Sequence, residues 1–162
     1  LDYTKCQSVK LETDETTIEI VNHLTKNKIK VVSHIGINPQ KYKNFDTIRS
    51  VGKDNIEKEK FFLLAQKLQQ ANTCLIVLEC MKTDLAKKIT ANLTIPTIGI
   101  GASIDCDGQV LVINDLLCTD ASLKKPRFIK SYTNLNIIIE NSVEKYCQNV
   151  INKKFPLKKN SY

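Results

Sequence analysis

Five consecutive apolar residues, Cys74-Leu75-Ile76-Val77-Leu78, stop abruptly at Glu79 and constrain the fold of this chain more than any other stretch. The run is apolar on both alternating faces, as expected of a strand covered on each side, which is how parallel sheets are built. Its surroundings agree. Upstream, Lys53 to Ala71 carries Ile56, Phe61, Leu64, Ala65 and Leu68 at helical spacing, with Asp54 placed to cap the helix. Downstream, Thr83 to Leu93 reads as another helix, and Thr97 to Ile100, opened by Pro96, as another short strand.

The alternation extends in both directions. Ser8 to Glu12 has the pattern of a strand ending in charge, and Thr13 or Asp14 can cap a helix running to about Thr25 through Ile18, Val21 and Leu24. Ile29 to Ser33 is the next strand, left by His34-Ile35-Gly36-Ile37-Asn38-Pro39 as a loop. Gln40 to Asp54 has weak periodicity and reads as an extended loop covering a site. Val110 to Ile113 is the last strand. Phe128 to about Ile151 forms a C-terminal helix or helix pair whose inward candidates are Ile137, Ile138, Val143 and Tyr146. Strand and helix alternate five times without a linker or repeat, which predicts one α/β domain with a parallel sheet. The order alone does not separate an open doubly wound sheet from a barrel.

Charge and cysteine content narrow the function classes. The formal net charge of +7 is spread over helical faces and a Lys153, Lys154, Lys158, Lys159 tail without aromatic interleaving, so nucleic-acid binding is not favoured. The six cysteines form no CxxC pair and His23 and His34 lack metal spacing, which argues for reduced thiols and against a zinc site. No apolar run is long enough to cross a bilayer, and the expected location is the cytoplasm.

Three charged residues end strands, where α/β proteins place their sites. Lys10 and Glu12 point to the same side because side chains alternate with period two. Glu79 follows CLIVL, and a carboxylate there is either a site residue or a cap or ion-pair partner. His34 reads as a site residue or as a structural histidine. Asp105 and Asp107 fit a turn between two apolar runs, with Gly99 and Gly101 allowing close backbone approach.

Several segments match a known pattern in order and spacing: VKLE at 9–12, SHIGINPQ at 33–40, IVLEC at 76–80, IPTIGIGA at 95–102, CDGQVLV at 106–112 and DLL at 115–117. Together they resemble the C-terminal part of the ketopantoate hydroxymethyltransferase family. The resemblance implies a (β/α)8 TIM barrel of the phosphoenolpyruvate/pyruvate type with about five of its eight βα units in this chain. Residues 1–162 would then be a single, N-terminally incomplete barrel domain with a basic tail at 152–162. It further implies Glu79 as proton acceptor, Lys10 and His34 as substrate contacts and Glu12 as a Mg²⁺ ligand. The substrates would be a 2-oxo acid, 3-methyl-2-oxobutanoate, and 5,10-methylenetetrahydrofolate, with ketopantoate as product.

The expected partners are further copies of the chain and an N-terminal half-barrel polypeptide, which in the family carries two aspartates of the metal site and a serine that binds substrate. Some positions depart from the family pattern. Thr13 and Asp14 stand where it has two glycines, Asp46 to Asp54 keeps only its Gly52 and Asp54, and Ser103 and Asn114 replace a glycine and a histidine. The alternative to the enzyme is a catalytically inactive remnant of it that acts as an interaction or vestigial protein.

Overall fold

The computed structural model describes residues 3–38, 49–120 and 126–162, and the chain divides into two compact units, Leu1–Val110 and Leu111–Tyr162. The first holds a parallel sheet of five strands: β1 (Ser8–Glu12), β2 (Lys30–Gly36), β3 (Leu75–Glu79), β4 (Thr97–Ile100) and β5 (Gly108–Gln109). They lie side by side in the order in which they occur in the chain. Helices α1 (Ile18–Lys26), α2 (Asn55–Gln70) and α3 (Thr83–Asn92) connect the first four.

Because crossovers between parallel strands are right-handed, an order that never reverses sends every connecting helix to the same face. Burial follows that rule. Val31, Ser33, Ile35, Ile76, Leu78 and Thr97 share one face by register and are at most 2% exposed. Helix residues Val21, Leu64, Ala65, Leu68, Leu85, Ala86 and Ile89 are buried with them, and each large apolar side chain contributes about 1.5–3 kcal/mol to the core. On the other face, Val32, Leu75, Val77, Ile98 and Ile100 are only part-buried. A doubly wound sheet reverses its strand order at a switch point. This one does not, so the sheet is singly wound.

Local chemistry explains the helix starts. Asp54 accepts the Glu57 N–H at 2.8 Å, and the Glu57 carboxylate accepts the Gly52 and Lys53 N–H groups at 2.8 and 2.9 Å. Asp14 and Thr17 form a reciprocal capping box ahead of α1. Two buried hydroxyls of the core are paired: Ser33 Oγ and Thr73 Oγ1 lie 2.9 Å apart, and Thr73 donates to the Val31 carbonyl.

Three expectations are corrected. His34 to Gly36 are not a loop but the end of β2, because β2 stays paired with β1 through His34 and with β3 through Gly36. Val110 to Ile113 are not a strand. The pairing with β4 covers Gly108 and Gln109 and ends with the bond from the Val110 N–H to the Gly99 carbonyl, while Val110, Val112 and Ile113 are 48–61% exposed and Ile113 begins a helix. The third lies in the second unit, which holds α4 (Ile113–Leu117) and α5 (Leu135–Ile151). There Ile137, Ile138, Val143 and Tyr146, expected to face inward, are 49–55% exposed, and no residue of α5 is buried. The unit is held instead by hydrogen bonds, Tyr132 N–H to the Leu116 carbonyl and Asn136 N–H to the Cys118 carbonyl, and by an edge-to-face pair of Tyr146 and Phe155 at 5.5 Å. Residues 40–48, most of the expected covering loop, lie outside the described residues.

Candidate functional site

The C-terminal ends of β1 to β4 bring the expected residues to one face of the sheet. In register, Glu12 lies beside His34, His34 beside Val77, Gly36 beside Glu79, and Glu79 beside Ile100. Glu79 is therefore the diagonal neighbour of His34, two residues further along the adjacent strand, a position within reach of a long side chain. His34 Nε2 lies 2.9 Å from Glu79 Oε2. The distance is that of a hydrogen bond, but the ring N–H is not aimed at the oxygen. Among the described residues neither ring nitrogen has an aligned partner, although both are buried. A buried donor or acceptor left without a bond costs about 1–3 kcal/mol, which singles this histidine out from an ordinary core residue.

Three backbone features hold the pair. Thr13 donates both its N–H and its hydroxyl to the His34 carbonyl at 2.8 and 2.9 Å, which ties the end of β1 and Glu12 to β2. Thr13 and Asp14 thus have structural work of their own, one as a clamp and the other as a cap. Next, Gly36 sits at φ +112°, and a Cβ there would lie 2.1 Å from the Glu79 carbonyl oxygen. Only glycine lets β2 approach β3 this closely. Finally, Cys80 follows Glu79 in the left-handed region at φ 50°, with its N–H on the Ile100 carbonyl and its carbonyl accepting the Val51 N–H. Thr13 and Gly36 were visible in the sequence as a departure and a glycine, but nothing there linked them to His34 or Glu79.

Lys10 occupies the same face at the level of Val32 and Leu75, four residues short of the level of Glu79. At about 3.3 Å per residue this is roughly 13 Å along the strands, so Lys10 sits deeper than Glu12, His34 and Glu79 and its backbone is not beside them. It is exposed, and Glu12 is part-buried.

The Cys80 thiol beside the pair is pushed up to about 11, first by burial and then by the charge of Glu79, so it stays protonated near neutrality and is no nucleophile. As to metal, no group of three metal-binding side chains occurs among the described residues. Glu12 is a single hard oxygen donor, and the donor set does not by itself fit a divalent ion.

Asp105 and Asp107 behave as turn residues. The Thr97 N–H, then the Thr97 hydroxyl, hold the Asp107 carboxyl below its ordinary range, and the Ser103 hydroxyl, then Lys87, do the same for Asp105. A depressed folded value means stability that is present above the unfolded value and lost as pH falls through the folded one. Protection of the Thr97 amide against hydrogen exchange is accordingly expected to be level down to the ordinary value of 3.8 and to drop below it. Asp107→Asn is expected to abolish that acid step; the same step in the variant would assign it to another group.

Comparison with known proteins gives one family. The family model for ketopantoate hydroxymethyltransferase matches residues 1–158. A 3-methyl-2-oxobutanoate hydroxymethyltransferase of Pelagibacter ubique is 43% identical over 159 residues, 98% of this chain and 60% of that protein. Proteins of the same name from Bdellovibrio bacteriovorus and Saccharolobus islandicus are 40% and 42% identical, over 96% and 93% of this chain and 59% and 56% of their own lengths. The chain thus spans less than two thirds of these curated relatives.

Proposed function

Because the chain belongs to the ketopantoate hydroxymethyltransferase family, we propose that it carries the proton-abstracting part of a site that transfers a hydroxymethyl group from 5,10-methylenetetrahydrofolate to 3-methyl-2-oxobutanoate, giving ketopantoate. The observation that carries this reading is the Glu79 carboxylate at the end of β3, part-exposed, 2.9 Å from a buried histidine and on the sheet face opposite the buried core residues Ile76 and Leu78. A carboxylate so placed can take the proton from C3 of the 2-oxo acid as a general base. The enolate then attacks the one-carbon unit, and Lys10 offsets the negative charge of the substrate carboxylate or the enolate. We assign to Glu12 the one carboxylate that this chain contributes toward a magnesium ion, the other donors coming from outside it.

The same proposal includes a (β/α)8 barrel of which residues 1–162 hold about five βα units, assembling with further copies and with an N-terminal half-barrel polypeptide. The relatives' length supports it. A match of 159 residues that is 60% of the Pelagibacter protein makes that protein about 265 residues long and leaves about 106 outside the match. Three βα units of an eight-unit barrel of about 250 residues need roughly 94.

The direct test is formation of ketopantoate from 3-methyl-2-oxobutanoate and methylenetetrahydrofolate with magnesium, by the chain alone and then mixed with a polypeptide carrying the relatives' remaining βα units. Product in either case supports the transferase; none in both overturns it in favour of a non-catalytic remnant. For Glu12, calorimetric titration of magnesium in the presence of the oxo acid is expected to show at least about tenfold weaker binding for Glu12→Ala. An unchanged isotherm would remove Glu12 from the ligand set.

A further inference from the structure

We propose that His34 is a positioning residue for Glu79 rather than a substrate contact. The inference rests on the base role of Glu79 given above. Accessibility separates the two side chains: that of His34 is 3% exposed and that of Glu79 16%. With both ring nitrogens buried, His34 has no atom free to meet a ligand, whereas Glu79 does. The histidine is also fixed from behind, since its carbonyl accepts two hydrogen bonds from Thr13 and its own strand is paired on both sides.

The geometry then assigns the work. An imidazole Nε2–H that engages Oε2 leaves the Oε1 of Glu79 for the substrate proton and removes the freedom of the carboxylate to rotate. Gly36, beside Glu79 in register, places no side chain in the way. No other described group competes for the two ring nitrogens, so the imidazole is held in reserve for this one bond. Catalytic hydrogen bonds that are poorly aligned without ligand commonly tighten when substrate binds, and here a small rotation of the ring or the carboxylate suffices at 2.9 Å.

The chain contains only two histidines, and His23 is exposed on α1, so it serves as an internal reference. Long-range nitrogen–proton NMR spectra of the chain are expected to show His34 locked as the Nε2–H tautomer beside a solvent-averaged His23. Glu79→Ala should release that tautomer, while Glu79→Gln, which keeps an acceptor oxygen and the size of the side chain, should retain it. Identical His34 signals in the wild type and Glu79→Ala would overturn the proposal.

Deuterium exchange at C3 of 3-methyl-2-oxobutanoate supplies the kinetic arm. His34→Phe is expected to lower kcat about 10²-fold with KM changed less than about twofold, as a misplaced base requires. His34→Gln, which restores an N–H, should recover at least about tenfold of the loss, and His34→Phe should cost nothing more in a Glu79→Gln background. A KM raised about tenfold at unchanged kcat would instead make His34 a substrate contact. If the wild type exchanges no proton, the base reading fails, while the tautomer experiment still decides whether His34 holds Glu79.

Discussion

Glu79→Gln is expected to slow deuterium exchange at C3 of 3-methyl-2-oxobutanoate by about 10²–10⁴-fold, the usual contribution of a positioned general base. The substitution is chosen because it changes so little else. The amide has the size of the carboxylate and keeps an oxygen facing the His34 ring. The backbone at this point is fixed by bonds that do not involve the side chain, from the Ile37 N–H to the Glu79 carbonyl at 3.1 Å and from the Cys80 N–H to the Ile100 carbonyl at 2.9 Å. The variant should therefore fold and melt like the wild type while its KM for the oxo acid stays within a few-fold, about the range left by an unaltered binding surface. Exchange retained at more than about a tenth of the wild-type rate would exclude Glu79 as the base, and the assay needs neither the folate co-substrate nor product release to report it.

How much of this was legible beforehand depended on whether the signal was local. β3 and β4 could be read directly, since CLIVL is apolar on both faces and Pro96 marks the start of the next run. Asp54 and Asp14 could be read as caps because a cap is a property of four adjacent residues. Glu79 stood out for a similar reason, as a charge ending an apolar strand. The pairing of Glu79 with His34 was not legible, because it is set by the register between two strands whose residues are far apart in sequence. Polarity also placed the end of β2 too early: a histidine interrupts an apolar pattern, yet His34 stays in the strand because Glu12 and Val77 flank it. Val110 to Ile113 failed in the opposite sense. They have a strand's composition, but a strand needs a partner, and after the bond from the Val110 N–H to the Gly99 carbonyl the chain leaves β4 with Ile100 still unpaired on that side and turns into a helix at Ile113. In α5 the apolar spacing is real, and what covers a helix face is not written in the helix.

Gly36→Ala is expected to be the most damaging small substitution on the sheet, lowering stability by about 3 kcal/mol or more. For a chain of this size that corresponds to a fall in Tm of about 6–12 °C. Two effects act together. A non-glycine residue at φ +112° is strained wherever it occurs, and here its Cβ would also stand 2.1 Å from the Glu79 carbonyl oxygen and 3.0 Å from its carbonyl carbon and nitrogen. No rotamer relieves a clash between Cβ and backbone, so the ends of β2 and β3 must separate. Gly108→Ala is the fitting control, since its Cβ would meet only the tip of the Ile98 side chain at 2.8 Å, which can turn aside. Its Tm is expected within about 3 °C of the wild type, the effect of roughly 1 kcal/mol. The strands that part in Gly36→Ala are the two that carry His34 and Glu79, and a displacement of about 1 Å is enough to cost on the order of 10²-fold in rate. Measured well below its own Tm, the variant should therefore lose C3 exchange and the His34 tautomer preference together. A Gly36→Ala protein that melted within about 1 °C of the wild type would show that β2 does not approach Glu79 as closely as the site requires.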